Sequence, residues 1–153
     1  MNDKKKEGRY KRIYIQLAET LKKTENINAR MATIIAVLHN KMDYYFWTGY
    51  YLLQNDKLIV SQYQGPVACQ ELEKDIGVCW AAINSEKAII VDDVEKFPGH
   101  IACDSRSKSE IVVPIIDNNN NIIGVLDIDS NELNSFNSID EVEIKKILEL
   151  IYI

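Results

Sequence analysis

The sequence predicts an α+β fold in which helices cover one face of a largely antiparallel sheet. Two helical segments come first, short strands with one small helix among them follow, and a helix closes the chain. Segments grouped in this way, rather than in strict strand–helix alternation, are typical of α+β domains. Because the chain has 153 residues and shows no internal repeat or linker, a single domain over 1–153 is expected.

The spacing of apolar residues predicts the first two helices. The segment from Lys4 to Leu21 has one apolar face and a lysine-rich opposite face, so an N-terminal helix is expected within 1–24. A second helix is predicted over 29–42, with Asn28 as its N-cap. The apolar positions are Tyr10, Ile13, Tyr14, Leu17 and Leu21 in the first segment, and Met31, Ile34, Ile35, Leu38 and Met42 in the second.

Strands are predicted from the middle of the chain onward. The aromatic segment 44–53 and the segment 57–63 flank a polar turn, which indicates a hairpin. Gly49 within the first of these strands is typical of a place where a ligand or another backbone comes close. Further strands are predicted over 88–91, 110–116 and 122–128. Pro114 indicates an edge position or a bulge, because proline cannot donate to a strand ladder.

The last helix is predicted to begin at a capping box, Ser138-Ile139-Asp140-Glu141, and to end near Tyr152. Its predicted apolar stripe consists of Ile139, Val142, Ile144, Ile147, Leu148 and Ile151. Amphipathic helices at both ends of the chain can pack on the sheet or pair with a second copy, and the sequence leaves both arrangements open.

Composition excludes several classes of function. The net charge of −5 argues against a nucleic-acid or anionic-membrane surface, and no apolar run approaches the roughly 20 residues that span a bilayer. The charged N-terminal segment does not resemble a secretory signal. Three cysteines are too few for a disulfide framework, so a reducing cytoplasmic location is expected.

The segment 97–114 is the most distinctive part of the sequence. It opens with the turn pair Pro98-Gly99, continues through small and polar residues that include Cys103, and ends in an apolar strand. A cysteine in a loop between a turn and a strand is well placed to act as a nucleophile. The alternative is a surface loop with an incidental thiol.

Two further cysteines have separate surroundings. Cys69 follows Gly65-Pro66 and is expected in a loop. Cys79 lies in the first turn of a short helix predicted over 78–85, where the helix dipole would lower the pKa of its thiol. A buried and inert thiol is the alternative for Cys79. Together with His100 and Cys103 these residues have ligand types that suit zinc, but the irregular gaps and the lack of a Cys-x-x-Cys pair argue against a metal site.

Two sets of side chains, one of carboxylates and one of aromatics, are each predicted to lie on a single face of a strand. Asp127 and Asp129 alternate by two on one strand, and Glu110 lies on the strand predicted to pair with it. Crowding would raise the pKa of at least one of these carboxyls, unless the hairpin ends in solvent. Trp47 and Tyr51 also share a face, either as the wall of a pocket or as ordinary core.

The chain resembles the free methionine-(R)-sulfoxide reductases, which are single-domain enzymes with a GAF fold. The resemblance covers residues 28–152 and is most specific in the segment 97–114 and in Asp127-Ile128-Asp129-Ser130. It implies helices on one face of the sheet, a ligand pocket on the other, no cofactor, and reduction of free L-methionine (R)-sulfoxide to L-methionine. It also implies a homodimer and a thioredoxin-like electron donor.

The resemblance assigns roles to the cysteines and to the pocket residues. Cys103 would be the attacking thiol, with Cys69 as the first choice and Cys79 as the second choice for the thiol that resolves the sulfenic acid. The implied binding roles are Glu110 and Asp129 for the sulfoxide oxygen, Asp127 for the ammonium group, Trp47 and Tyr51 for the methylthio end, and the backbone of Ile101 and Ala102 for the carboxylate.

Two departures from the family matter, namely Trp80 and the pair Asp75-Ile76 before Gly77, where a small or basic pair is more usual. Trp80 follows Cys79 where a small glycine is usual, and its indole is expected to narrow the pocket rim or to block Cys79. Two other functions compete with the reductase, namely a non-catalytic GAF module that binds a small ligand and a thiol-based redox or metal-binding protein without reductase activity.

Overall fold

The computed structural model describes residues 1–100 and 103–153. The helices within these residues are α1 (Asp3–Leu21), α2 (Ile27–Lys41), α3 (Gly77–Ser85) and α4 (Ser138–Glu149), with short 3-10 helices at Val94–Lys96 and Leu150–Tyr152. The strands are β1 (Trp47–Gln54), β2 (Lys57–Gln64), β3 (Glu71–Leu72), β4 (Ile89–Val91), β5 (Ser109–Ile116) and β6 (Ile122–Ser130). None of these helices combines the length and apolarity needed to cross a bilayer.

The six strands form one antiparallel sheet in the order β3-β2-β1-β6-β5-β4. The predicted α+β architecture is therefore confirmed. Pro114 lies opposite Val125 of β6 and beyond the end of β4, which pairs only with residues 110–112 of β5. The register with β6 shifts just after Pro114, between Ile115 and Ile116, so the proline lies beside an irregularity of the ladder.

The two faces of the sheet pack against two different apolar clusters. Tyr50 of β1 and Leu126 of β6 belong to the larger apolar core, which the residues of α1, α2 and α4 complete. Their neighbours Tyr51 and Val125 point the other way, into a smaller apolar cluster that includes α3. This alternation follows from the period of two along a strand. The predicted division, with the terminal helices on one face and the pocket on the other, is confirmed.

A buried polar cluster joins α1 to the start of α4. Asp140 is fully buried and forms a salt bridge with Lys6, which is 3% exposed. Its carboxylate also accepts hydrogen bonds from the hydroxyls of Tyr10 and Tyr44 and from the backbone N–H of Asn137. A buried charge is tolerated only when it is paired and hydrogen-bonded, and Asp140 meets both conditions.

Some predicted boundaries are wrong by one to three residues. α2 is capped by Asn26, whose side chain accepts from Ala29 N, rather than by Asn28. The capping box of α4 pairs Asn137 with Asp140, one residue earlier than predicted. Either asparagine near α2 has the chemistry of an N-cap, so local sequence does not distinguish them. Val142 is 49% exposed, so the apolar stripe of α4 is narrower than predicted.

Candidate active site

A pocket opens on the sheet face opposite α1, α2 and α4, with a volume of about 600 Å³ when its open mouth is included. It brings together most of the side chains that the sequence indicated: Trp47, Tyr51, Cys79, Cys103, Glu110, Asp127 and Asp129. Cys69 does not line the pocket but is bonded to Cys103 at its mouth. Ile101 and Ala102 lie outside the described residues.

Three carboxyl groups meet on the pocket floor because of the strand register. Glu110 of β5 lies opposite Asp129 of β6, and Asp127 lies two residues before Asp129 on the same face. Glu110 and Asp127 are 5% and 6% exposed, and Asp129 is half-buried. Burial, followed by the neighbouring Asp129, raises the pKa of Glu110 to about 8. Burial, followed by the neighbouring Glu110, also raises the pKa of Asp127. Burial, followed by Asp127, raises the pKa of Asp129.

One oxygen of Asp127 has no hydrogen-bond partner among residues 1–100 and 103–153. Every other buried side-chain oxygen or nitrogen among the described residues has a hydrogen-bond partner, but Asp127 Oδ1 has none. An unsatisfied buried polar atom costs about 1–3 kcal/mol, so it is usually paired by something that binds there. The pocket is therefore incomplete without a donor group, such as an ammonium, beside Asp127.

Aromatic side chains form the apolar wall of the pocket. The rings of Trp47 and Tyr51 stack with centroids 5.8 Å apart, and Tyr63 stacks on the other side of Trp47 at 5.3 Å. A Cβ atom on Gly49 would lie 2.5 Å from the indole of Trp47 and would also clash with Cβ of Tyr63. Gly49 therefore makes room for the Trp47 ring and for its neighbouring strand.

The same two aromatics hold the loop that carries Cys69. Trp47 Nε1 donates to the carbonyl of Pro66 at 3.1 Å, and Tyr51 Oη donates to the carbonyl of Cys69 at 2.9 Å. Cys69 and Cys103 form a disulfide with their Cα atoms 5.5 Å apart, across 34 residues of sequence. Cys103 is exposed and lines the pocket, whereas Cys69 is half-buried behind it. Cys69, the first choice for the resolving thiol, is thus the cysteine that is bonded to Cys103.

Cys79 has a different environment. It is a free thiol, 4% exposed, on the first turn of α3. Burial, followed by Asp127, Glu110 and Asp129, raises the pKa of this thiol well above its ordinary value. Burial and the nearby acids favour the neutral thiol, and Cys79 is buried as its alternative interpretation expected.

The pocket also offers a small set of donor atoms for a cation. The donor atoms of Cys79, Glu110 and Asp127 lie within 4.8 Å of one another. A positively charged group, either an organic ammonium or a metal ion, would satisfy this set. The zinc set considered from the sequence is different, and in this oxidised form Cys69 and Cys103 are bonded to each other rather than free to coordinate.

Trp80 does not narrow the pocket, and that expectation was wrong. Its side chain is 3% exposed, and its Nε1 donates to the carbonyl of Leu72 at 3.2 Å. Successive residues of a helix point about 100° apart, so Trp80 enters the apolar cluster while Cys79 faces the pocket.

His100 also lines the pocket, although its sequence pattern indicated only a possible zinc ligand. It lies three residues before Cys103, and its Nε2 is 3.6 Å from Oε2 of Glu110. Its side chain is 14% exposed, and its backbone N–H donates to the carbonyl of Phe97 at 3.2 Å. Burial lowers the pKa of its imidazole, while Asp127 opposes that shift. The link to Glu110 depends on the conformation of the loop, which spacing alone does not indicate.

Fold and pocket together define a GAF domain, and the family model for the GAF domain matches residues 24–151. GAF domain-containing protein A of Dictyostelium discoideum is 46% identical over 147 residues, which are 95% of this chain and 92% of that protein.

Similarity to reductases of this fold is equally extensive. A free methionine-R-sulfoxide reductase of Escherichia coli is 39% identical over 120 residues, covering 78% of this chain and 72% of that protein. An X-ray structure of the free methionine-R-sulfoxide reductase of Neisseria meningitidis in complex with its substrate superposes with a TM-score of 0.91. It is 33% identical, with 99% of this chain and 90% of that chain covered. The chain belongs to the free methionine-R-sulfoxide reductase family.

Proposed function

We propose that the protein reduces free L-methionine (R)-sulfoxide to L-methionine. The observation that supports this most is the pocket, in which a disulfide-forming cysteine at the mouth lies beside buried carboxyls and an aromatic wall. Reduction of a sulfoxide by thiols needs a thiolate to attack sulfur and an acid to protonate the departing oxygen. Both kinds of group are in the pocket.

The first step is the attack of Cys103 on the substrate, assisted by the carboxyl groups of Glu110 and Asp129. The thiolate of Cys103 attacks the sulfoxide sulfur, whose oxygen is held by Glu110 and Asp129. Glu110 is suited to protonate that oxygen, because its pKa of about 8 keeps the carboxyl neutral at physiological pH. The substrate sulfur is reduced to the thioether of methionine, and Cys103 is oxidised to a sulfenic acid.

The second step forms the disulfide. The thiol of Cys69 attacks Sγ of the Cys103 sulfenic acid, its proton and the hydroxyl leave as water, and the Cys69–Cys103 bond forms. The existing bond between these cysteines is compatible with this step. Cys79 is the weaker candidate for the resolving thiol, because burial disfavours its thiolate form.

The pocket can orient a free amino acid. The unpaired oxygen of Asp127 suits the substrate ammonium group, and the stacked rings of Trp47 and Tyr51 suit its methylthio end. The carboxylate would bind backbone amides near Ile101 and Ala102, which lie outside the described residues. This arrangement favours the free amino acid over a residue in a peptide, whose nitrogen carries no charge.

An external dithiol must then reduce the disulfide, and a thioredoxin-like protein is the proposed donor. A homodimer is also proposed on the basis of family resemblance, and sedimentation analysis would test it.

The experiment that tests the function is turnover of racemic free methionine sulfoxide with dithiothreitol, followed by chiral chromatography. We expect wild type to consume only the R epimer and Cys103→Ser to consume neither. Consumption of neither epimer by wild type would refute the proposal, and tight binding of a small ligand without turnover would then favour a non-catalytic GAF module.

The resolving cysteine requires a protein donor. With a thioredoxin-type dithiol, Cys69→Ser is expected to lose multiple turnover but to retain one turnover per chain. The same loss in Cys79→Ser, with Cys69→Ser unaffected, would reverse the order of the two cysteines.

A further inference from the structure

We infer that His100 is a positioning residue for the proposed reduction, which orients the carboxyl group of Glu110 and returns to it the proton that each turnover consumes. The inference rests on the proposed function and adds a residue to its proton path. It is carried by the position of His100, which lines the pocket with its Nε2 beside Glu110 and keeps part of its side chain exposed.

The first supporting observation is geometric. His100 Nε2 lies 3.6 Å from Glu110 Oε2, and the two side chains are 14% and 6% exposed. His100 therefore has one end beside the buried acid and some surface in contact with solvent. A small movement of the ring, or one bridging water, would complete a hydrogen bond to Glu110.

The second observation is the chemistry of the surrounding side chains. The titratable groups that line the pocket with His100 are Glu110 from β5, Asp127 and Asp129 from β6, Tyr51 from β1 and Cys79 from α3, with Asp104 on the loop of His100 itself. Among the described residues that line the pocket, His100 is the one basic side chain. When Glu110 gives up its proton, it becomes a buried carboxylate among other acids, a state that a cationic imidazolium can stabilise.

The proton balance is simple. Glu110 transfers a proton to the departing sulfoxide oxygen, and the imidazolium of His100 then transfers one to the Glu110 carboxylate. Solvent protonates His100 again, so no oxidant or reductant beyond those of the reaction is required. Burial lowers the pKa of the resting imidazole, but a carboxylate formed at Glu110 favours its protonated form, and Glu110, with a pKa of about 8, is then the stronger proton acceptor. The two ring nitrogens can take up and release protons at different positions.

A second path to solvent exists through Asp129, which is half-buried and lies opposite Glu110. A proton taken from Asp129 would only move the negative charge from Glu110 to its neighbour, whereas a proton taken from an imidazolium removes that charge. This difference favours His100 as the route of reprotonation.

The test is a multiple-turnover experiment in which dithiothreitol is raised until the rate no longer depends on it, so that reduction of the disulfide does not limit the rate and Glu110 must regain its proton in every cycle. Methionine formed is measured against time at several substrate concentrations between pH 6 and pH 9. The variants are His100→Gln, which keeps a polar side chain of similar size, and His100→Ala, which leaves space. The matched control is His39→Gln, because His39 lies on α2 beside Thr48, on the other face of the sheet.

We expect His100→Gln to lower the limiting rate by about 10- to 100-fold, below the full effect of a general acid, with half-saturation unchanged within about twofold. Imidazole in solution should restore the rate of His100→Ala in proportion to its concentration and should not change wild type or His39→Gln. A residue with a purely structural role would not produce this rescue.

Two results would overturn the inference. The first is a wild-type limiting rate in His100→Gln across the whole pH range. The second is a raised half-saturation concentration without any change in limiting rate and without rescue by imidazole, since that pattern describes a residue that only shapes the pocket. If wild type itself forms no methionine, the failure is that of the proposed function.

Discussion

Replacement of Glu110 by glutamine perturbs the central electrostatic feature of the pocket, a buried carboxyl that stays protonated at neutral pH. Burial and Asp129 raise the pKa of this group from its ordinary 4.5 to about 8. Between these pH values the folded protein holds a proton that the unfolded chain has released. The stability contributed by the neutral group is therefore complete below about pH 4.5 and declines as pH rises, until Glu110 also ionises in the folded state near pH 8.

The size of the effect follows from the shift. One group with a raised pKa costs about 1.4 kcal/mol of unfolding free energy for each pH unit of that interval. Across the whole interval the loss reaches roughly 5 kcal/mol, as an upper limit. Glutamine has nearly the same shape and cannot ionise. Glu110→Gln is thus expected to resemble wild type in stability near pH 5 and to exceed it by up to about 5 kcal/mol near pH 8, while losing the acid needed for reduction.

Urea unfolding followed by tryptophan fluorescence at a series of pH values measures this difference. Glu25→Gln, at an exposed position between α1 and α2, is the matched control and should follow wild type at every pH. A constant difference between Glu110→Gln and wild type from pH 5 to pH 8 would show that Glu110 is ionised in the folded protein, and the proposed role as acid would be wrong.

Two further predictions concern packing. Asp140→Ala leaves the Lys6 ammonium buried without its carboxylate, so it should cost about 3–5 kcal/mol in urea unfolding; a loss under about 1 kcal/mol would contradict the buried pair. Gly49→Ala places a Cβ atom 2.5 Å from the Trp47 ring and should raise KM for the sulfoxide by roughly 10-fold through displacement of that ring. Gly8→Ala on α1, where the nearest atom is the flexible end of Arg12 at 3.4 Å, is its control, and equal KM values in both variants would contradict the argument.

The elements of the fold were predictable because their patterns are local. The helical spacing of Tyr10, Ile13, Leu17 and Leu21 matches the buried face of α1, whereas Tyr14, predicted on the same stripe, is 37% exposed. Boundaries were less certain, since Asn26 and Asn28 are equally good caps on local grounds and only the packing of α2 distinguishes them. An apolar residue such as Val142 can lie at helical spacing and still face solvent.

The candidate site was predictable only in part. The period of two along β6 is enough to place Asp127 and Asp129 on one face, and the strand register agrees with it. That Asp127 has an unpaired oxygen, and that Trp80 turns away from the pocket, depend on how α3 packs against the sheet. The roles of the pocket residues in catalysis remain predictions.

The fold class, the sheet face that carries the acids and the family all follow from the sequence alone, because periodicity and short motifs are properties of neighbouring residues. Three features follow only from the three-dimensional structure: which cysteine lies beside Cys103, how deeply Glu110 is buried, and that His100 reaches it. These features arise from contacts between segments that are distant in the chain, and such contacts depend on the packing of the whole domain around the sheet.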